Sequence, residues 1–236
     1  MMHGHATWLV FIVLSAASAF AEEGNRSPVV SGPPTTATPA TGFKSLFNGK
    51  NLDGWEGNTK MFRVEDGAIV GGSLQHPIDK NHFLCLTEVY GDFELRLRCK
   101  LVGAKANGGV QFRSRRVPNS NEVCGYQADM VDGEYWGCLY DEARRDKTLA
   151  GPAREEQNKI VHQGDWNDYV IRCEGRRIQL WVNGHRTVDY LETVPSIPQK
   201  GVIGLQIHGG GPSEAWYKDI VITRLPSSQH AKEPSQ

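Results

Sequence analysis

The sequence has almost no excess charge of either sign. Its 26 Lys and Arg residues nearly balance its 27 Asp and Glu residues, which leaves a formal net charge of −1. Proteins that bind the phosphate backbone of nucleic acids need clustered cations, and this chain has no basic tract. The composition therefore argues against a nucleic-acid-binding protein.

Cysteines are few and irregularly spaced. None of the five forms the C-x-x-C spacing that is typical of a zinc or redox site. Cys99 and Cys173 fall in phase with apolar residues, so we expect them to be buried thiols that act as small hydrophobic side chains. For Cys124 and Cys138, a disulfide across a loop and two free thiols both stay open.

Long apolar runs are absent except at the start of the chain. The run Trp8–Leu14 is followed by small residues that end in Ala19-Phe20-Ala21, and it falls short of the ~20 apolar residues that a membrane-spanning helix needs. This pattern is typical of a signal peptide, residues 1–21, with an uncleaved anchor as the alternative. It predicts a secreted or periplasmic protein with no membrane span after cleavage.

The rest of the chain divides by composition. Residues 22–41 are rich in Pro and Thr with little to bury, which predicts a flexible linker. Residues 226–236 are polar, which predicts a frayed C-terminal tail. One domain is therefore expected over residues 42–225, and the absence of any long repeat argues against a solenoid or propeller.

Strand patterns fill this domain, and no long segment keeps a helical period. Apolar and polar residues alternate without a break over 92–101, and Asn183-Gly184 between two apolar runs is a strong hairpin signal. We therefore predict an all-β fold, a jelly-roll sandwich of two antiparallel sheets. The residues expected to face its core are Phe93, Leu95, Leu97, Leu180, Val182, Leu205 and Ile207.

Three of the predicted strands carry paired functional side chains on the face opposite their apolar residues. Solvated faces usually carry Lys, Glu and Thr, whereas planar amide, carboxylate, guanidinium and imidazole groups suit the vicinal hydroxyls of sugars. The pattern therefore favours a sugar site over an ordinary solvated face. The pairs are Gln111 with Arg113, Gln127 with Asp129, and Gln206 with His208.

No metal or cofactor is identified by the sequence. Asp129, Asp132 and Glu134 could supply oxygen ligands to a divalent cation. They lack the spacing of a calcium-binding loop, so a solvated turn is the other interpretation. The cofactor question stays open, as does the oligomeric state.

A series of motifs follows in order over residues 43–225. They include Phe43–Trp55, Gly108–Arg113, Gly125–Asp129, Leu139-Tyr140, Asp165–Tyr169, Trp181–Gly184 and Gly201–Gly209. Together these motifs resemble the 3-keto-disaccharide hydrolase domain family. The resemblance implies a concanavalin A-like jelly roll, action on glycosides oxidised at C3, and export from bacteria that degrade polysaccharides.

The resemblance places Arg113, Gln127, Asp129, Gln206 and His208 on the family's polar motifs. Gln111, Tyr140 and Lys218 are further substrate-binding candidates. Lys218 marks a departure, because the family usually has an aromatic-Arg-Asn-Ile run where this chain has Tyr217-Lys218-Asp219-Ile220. The segment 134–157 departs too, being shorter and more charged.

A ketone at C3 makes the C2 proton acidic, so a single base can start cleavage where ordinary glycosidases use two carboxylates. The hypothesis assigns His208, oriented by Asp129, as the base, and Arg113, helped by Lys218 or a cation, as the group that stabilises the enolate. The net reaction is hydrolysis. A non-catalytic carbohydrate-binding module and a structural interaction domain are the alternatives.

Overall fold

Strands dominate residues 42–226, the part of the chain that the computed structural model describes. The fifteen strands in this part are β1 Lys44–Ser45, β2 Trp55–Gly57, β3 Phe62–Glu65, β4 Ala68–Ser73, β5 His82–Tyr90, β6 Phe93–Gly103, β7 Asn107–Arg116, β8 Val123–Val131, β9 Leu139–Glu142, β10 Lys147–Ala150, β11 Asn167–Glu174, β12 Arg177–Val182, β13 His185–Leu191, β14 Gly201–Ile207 and β15 Ser213–Arg224. One short helix, α1 Arg154–Ile160, lies between β10 and β11.

The strands form two antiparallel sheets. The first has the order β13-β12-β11-β6-β15-β4-β3, with β1 beside β15, and the second has the order β10-β9-β8-β7-β14-β5-β2. Consecutive strands pair in the runs β11–β13 and β7–β10 and in β3–β4, whereas the other neighbours are farther apart in sequence, as when β15 lies between β6 and β4. The predicted all-β jelly-roll sandwich is confirmed.

The core lies between the sheets. The strand β6 alternates buried and half-buried residues along nearly its whole length, which is the pattern of a strand with one face in the core. All seven residues that the sequence predicts to face the core are at most 3% exposed. The strands β7 and β8 differ, because nearly all their residues are buried on both faces.

The sequence analysis does not predict several of the strands or the short helix. The strand β5 begins with five consecutive buried residues and so shows no alternation, while β9, β10 and α1 are too short for a period to emerge. The disulfide alternative for Cys124 and Cys138 is wrong, because both are free thiols. Cys99 and Cys173 are buried thiols, as predicted.

The predicted signal peptide (1–21), the linker (22–41) and all but the first residue of the tail (226–236) lie outside the described residues. Within residues 42–226, no helix has the length and apolarity to cross a membrane.

Candidate functional site

The second sheet turns one face away from the first sheet, and polar side chains of its central strands gather there. Gln111 of β7 lies opposite Gln127 of β8, and Gly109 lies between Gln206 of β14 and Asp129 of β8. We call this the polar face. Its three glutamines are at most 2% exposed and Asp129 is 7% exposed, so the face is recessed and not an ordinary solvated surface.

A chain of hydrogen bonds crosses the polar face and ends on Asp129. The Ser114 hydroxyl donates to Gln111 Oε1 at 2.8 Å, and Gln111 Nε2 donates to Gln127 Oε1 at 2.7 Å. Gln127 Nε2 then donates to Asp129 Oδ1 at 3.0 Å. Each bond fixes the next amide, so the carboxyl group of Asp129 is held in one orientation.

Gly109 makes room for this chain. A Cβ atom at this position would lie 2.6 Å from Cδ and 2.7 Å from Cγ of Gln127, distances that no packed side chain tolerates. The missing side chain therefore lets Gln127 lie across β7 and reach Asp129.

Burial governs the ionisation of Asp129. The loss of solvent raises the pKa of its carboxyl group to about 7, the Gln127 bond opposes the rise, and the charge of Glu142 adds to it. A buried carboxyl group with a pKa near neutrality can hold or release a proton at physiological pH, as a catalytic acid or base must.

Glu142 is a second carboxyl group on the polar face, and it is not among the sequence candidates. It lies opposite Gly125, on the same side of β9 as Tyr140. Burial, followed by the charge of Glu122, raises its pKa to about 7. Its two-residue spacing from Tyr140 is the sequence signal that could have found it.

Gln206 and Tyr140 bring hydrogen-bonding groups to this carboxyl pair. Gln206 Nε2 donates to Glu142 Oε2 across a long 3.4 Å, and Gln206 Oε1 is buried with no partner among the described residues. Tyr140 lies opposite Gln127, and burial together with Glu142 raises the pKa of its hydroxyl. Tyr140 is half-buried and is placed to contact a ligand on the polar face, whereas the fully buried Gln206 supports Glu142.

His208 lies at the end of the polar face but does not pair with Asp129. It follows the last residue of β14, and its Nδ1 is 2.7 Å from the Gly209 carbonyl oxygen. The Asp129 carboxylate instead accepts its hydrogen bond from Gln127. The predicted orientation of His208 by Asp129 is therefore wrong.

Arg113 is not on the polar face, although the alternation predicts it there. A β-bulge places Arg113 and Ser114 together opposite Gly125, and Arg113 takes a φ of 47°. The bulge gives the polar-face position to Ser114. The buried guanidinium of Arg113 donates instead to Gly91 O at 2.9 Å, Gln199 Oε1 at 2.8 Å and Asp92 Oδ1 at 2.9 Å.

Lys218 lies on the other sheet. It pairs with Arg98 of β6 in the first sheet, and it is adjacent to Tyr217, which points into the core. Its side chain therefore points outward, where Nζ lies 4.1 Å from the centre of the Trp166 ring. The structure thus brings together Gln111, Gln127, Asp129, Gln206 and Tyr140, with His208 at their edge, and leaves Arg113 and Lys218 elsewhere.

The three oxygen-ligand candidates do not converge. Asp132 Oδ1 accepts a hydrogen bond from the Trp136 indole at 3.0 Å, and Asp129 Oδ1 is engaged by Gln127. Across residues 42–226, no group of three or more His, Cys, Asp or Glu side chains is placed to hold a metal ion. The turn interpretation fits Asp132.

Solved structures similar to this chain share its fold at low sequence identity. A candidate glycosyl hydrolase from Parabacteroides distasonis is 19% identical, with a TM-score of 0.60 over 78% of this chain and 94% of its own. The carbohydrate-binding module CBM66 from Bacillus subtilis is 15% identical, with a TM-score of 0.56 over 74% and 98%. The exoplasmic/lumenal domain of VIP36 is 10% identical, with a TM-score of 0.52 over 79% and 90%.

The comparison with curated proteins finds no match. A family model does match, over residues 42–223, which is nearly the whole sandwich and includes every residue of the polar face. The chain therefore belongs to the family of 3-keto-alpha-glucoside-1,2-lyase-like domains.

Proposed function

We propose that this protein cleaves glycosides whose sugar ring is oxidised to a ketone at C3, and that Asp129 is the catalytic base. The observation that carries the proposal is the buried Asp129 carboxyl group, which has a pKa of about 7 and is held by Gln127. The family's description supports the substrate class.

The reaction follows from the acidity that a C3 ketone gives to the C2 proton. Asp129 removes that proton, the enolate forms, and the C1–O bond breaks to give a C1–C2 double bond and a released alcohol. Glu142, whose pKa is also about 7, can donate the proton that the leaving oxygen needs. Addition of water across the double bond then makes the net reaction a hydrolysis.

The enolate oxygen needs a hydrogen-bond donor, because charge develops there in the transition state. The guanidinium of Arg113 is committed to Gly91, Gln199 and Asp92, so it cannot serve. The Gln206 amide is fully buried and donates to Glu142. Tyr140 is half-buried, and its hydroxyl lies close enough to Glu142 and Asp129 for their charges to add to burial in raising its pKa, so we assign this role to Tyr140.

The signal peptide predicted over residues 1–21 supports a site of action outside the cytoplasm, in the periplasm or in the medium. The substrate partner is a carbohydrate. Such a location suits an enzyme that acts on glycosides released from extracellular polysaccharides.

The direct test is incubation with 3-keto-trehalose and, separately, with unmodified trehalose. The proposal predicts turnover of the keto sugar alone, because only the ketone makes the C2 proton acidic. Turnover of both sugars at similar rates would indicate ordinary hydrolysis by two carboxylates and would contradict the elimination route.

A carbohydrate-binding function without turnover is the second candidate. Solved proteins of this fold include the module CBM66 and a form of VIP36 with bound Ca²⁺ and Man3GlcNAc, and buried amides can bind sugar hydroxyls without catalysis. Retention of either sugar with no product formed would favour this function.

A further inference from the structure

The first sheet carries two tryptophans and two lysines together on its outer face. Lys100 of β6 lies opposite Trp216 of β15. Trp166 directly precedes β11, which pairs with the other edge of β6, and Lys218 lies two residues after Trp216 on the same side of β15. We call these four residues the Trp–Lys patch. The core separates the patch from the polar face, which lies on the second sheet.

Both ammonium groups of the patch rest on indole rings. Lys100 Nζ lies 4.6 Å from the centre of the Trp216 ring and 5.0 Å from the centre of the Trp166 ring. Lys218 Nζ lies 4.1 Å from the centre of the Trp166 ring. The two rings meet edge to face with their centres 6.5 Å apart. Cation–π contacts therefore hold both lysine side chains in defined positions.

These contacts leave the charge of the two lysines uncompensated. Arg98, a third cation beside the Trp166 ring, has a carboxylate partner, because its Nε lies 3.4 Å from Asp168 Oδ1. Among residues 42–226, in contrast, neither Lys100 nor Lys218 forms an ion pair or donates a hydrogen bond. An indole ring has no net charge, so each ammonium group keeps its charge and its N–H donors for a ligand.

The carboxylates nearest the patch do not neutralise it. Glu214 accepts a hydrogen bond from the Trp216 indole at 2.9 Å, and its other oxygen accepts one from Arg63 at 2.8 Å. Asp219 is next to Lys218 in the chain, but it is exposed and forms no ion pair with it. The patch is therefore locally positive on a chain whose net charge is −1.

A polymer of uronic acids has the groups that this patch needs. The carboxylate of a uronic acid is bonded directly to ring carbon C5, so a single sugar residue brings a negative charge and a face of C–H groups to the same place. The carboxylate can accept hydrogen bonds from an ammonium group, while the C–H groups contact the neighbouring indole. The extended outer face of a sheet accommodates a linear chain of such sugars.

A membrane surface suits the patch less well. Both tryptophans are half-buried, whereas a protein that inserts into the headgroup region needs protruding apolar side chains. The large apolar side chains that are exposed in the described part of the chain lie outside the patch, and they are Leu74, Val89, Tyr135, Leu191 and Val194.

We propose that the Trp–Lys patch binds an anionic polysaccharide that contains uronic acids, and so holds the protein on that polymer. Lys100 and Lys218 bind its carboxylates, and Trp166 and Trp216 fix the two ammonium groups and contact the sugar rings. The binding needs no turnover at the polar face, so it is separate from the proposed catalysis.

Affinity electrophoresis of the whole protein tests this binding. Native gels contain polygalacturonate, fully methyl-esterified polygalacturonate or no polymer, and retardation is measured against the gel without polymer. Polygalacturonate should retard the wild-type protein, and the methyl ester should not, because it has the same backbone without the charge. Added salt should weaken the retardation.

The double variant Lys100→Gln/Lys218→Gln should raise the Kd for polygalacturonate at least tenfold. Lys147→Gln/Lys159→Gln is the matched control, because it removes the same charge from two exposed lysines of β10 and α1 and should keep the wild-type Kd. Trp166→Leu removes the ring that both ammonium groups contact, and it should weaken binding too. If Trp166→Leu fails to fold, the lysine variants still decide.

Three results would overturn the proposal. They are a wild-type protein that polygalacturonate does not retard, equal retardation by the methyl ester, and an equal loss of binding in the two double-lysine variants. Vesicles that contain phosphatidylglycerol provide a further check. If the wild-type protein bound them and not polygalacturonate, the patch would be a membrane contact and the proposal would be wrong.

Discussion

Asp129 owes its chemistry chiefly to burial and to one uncharged hydrogen-bond partner, with a smaller contribution from the charge of Glu142. The Gln127 amide orients its carboxyl group, and burial, more than any single charge, sets its pKa near 7. Such a group is costly to the fold when it is ionised. The residue is thus built for proton transfer at the expense of stability near neutral pH.

The raised pKa of Asp129 predicts a specific pH dependence of stability. In the unfolded chain this carboxyl group titrates near its model value of 3.8, and in the folded protein it titrates near 7. Between these values the folded state keeps a proton that the unfolded state has lost, so the free energy of unfolding falls as pH rises. The stabilisation is complete below about pH 4 and is lost as pH rises through about 7.

Asp129→Asn should remove this contribution. As pH rises from 4 to 8, the free energy of unfolding of the variant, measured in urea, should increase relative to that of the wild type by on the order of 2–4 kcal/mol. Glu142→Gln should act in the same direction. Parallel pH profiles for Asp129→Asn and the wild type would mean that the carboxyl group is not protonated at pH 5 in the folded state.

At the scale of the strand, β7 sets the geometry of the site through two irregularities. Gly109 leaves the gap that Gln127 crosses, and the bulge at Arg113 turns Ser114 toward Gln111. A regular strand with side chains at every position would present neither the chain of hydrogen bonds nor its route to Asp129.

Gly109→Ala should disrupt the site. The new Cβ would lie 2.6 Å from Cδ of Gln127, which forces that side chain away from Asp129 and costs about 1–3 kcal/mol through overpacking. Turnover should fall at least tenfold. Gly211→Ala is the control, because a Cβ there would meet nothing within 4 Å. Wild-type turnover and stability in Gly109→Ala would show that the Gln127 position is not required.

Arg113→Met should destabilise the protein without removing the chemistry. The substitution breaks a buried ion pair with Asp92, which typically costs about 3–5 kcal/mol, but the guanidinium does not reach the polar face. Thermal unfolding should show the loss, while kcat of the folded fraction stays near the wild-type value. If the variant had normal stability and a large loss of kcat, Arg113 would take part in the reaction after all.

At the scale of the whole molecule, local patterns predict what depends on neighbours in sequence. Alternation of apolar and polar residues in the sequences of β6, β12 and β14 predicts the sandwich and its core, and alternation within β8 predicts that Gln127 and Asp129 share a face. The bulge at Arg113 could not be predicted, because one extra residue in a strand reverses the alternation and leaves no mark in composition.

Long-range pairing explains the other differences. Lys218 lies in the first sheet because β15 pairs with β6 and β4, and no local feature of the sequence says which sheet a strand will join. Glu142 lies in a strand of four residues, so its two-residue spacing from Tyr140 is the one local signal, and a single such spacing does not distinguish a strand from a turn. The carboxyl pair therefore became visible only in the folded chain.

Steady-state turnover of 3-keto-trehalose by the wild type and by Asp129→Asn, from pH 5 to 9, tests the central claim most directly. The Asn side chain can still accept the Gln127 hydrogen bond, so circular dichroism should show an intact fold. Wild-type kcat/KM should rise with pH up to about 7 as Asp129 loses its proton and fall at higher pH as Glu142 loses its own, and Asp129→Asn should lower kcat about 10²–10⁴-fold. A folded Asp129→Asn protein with wild-type turnover, and with the loss found in His208→Ala instead, would contradict Asp129 as the base.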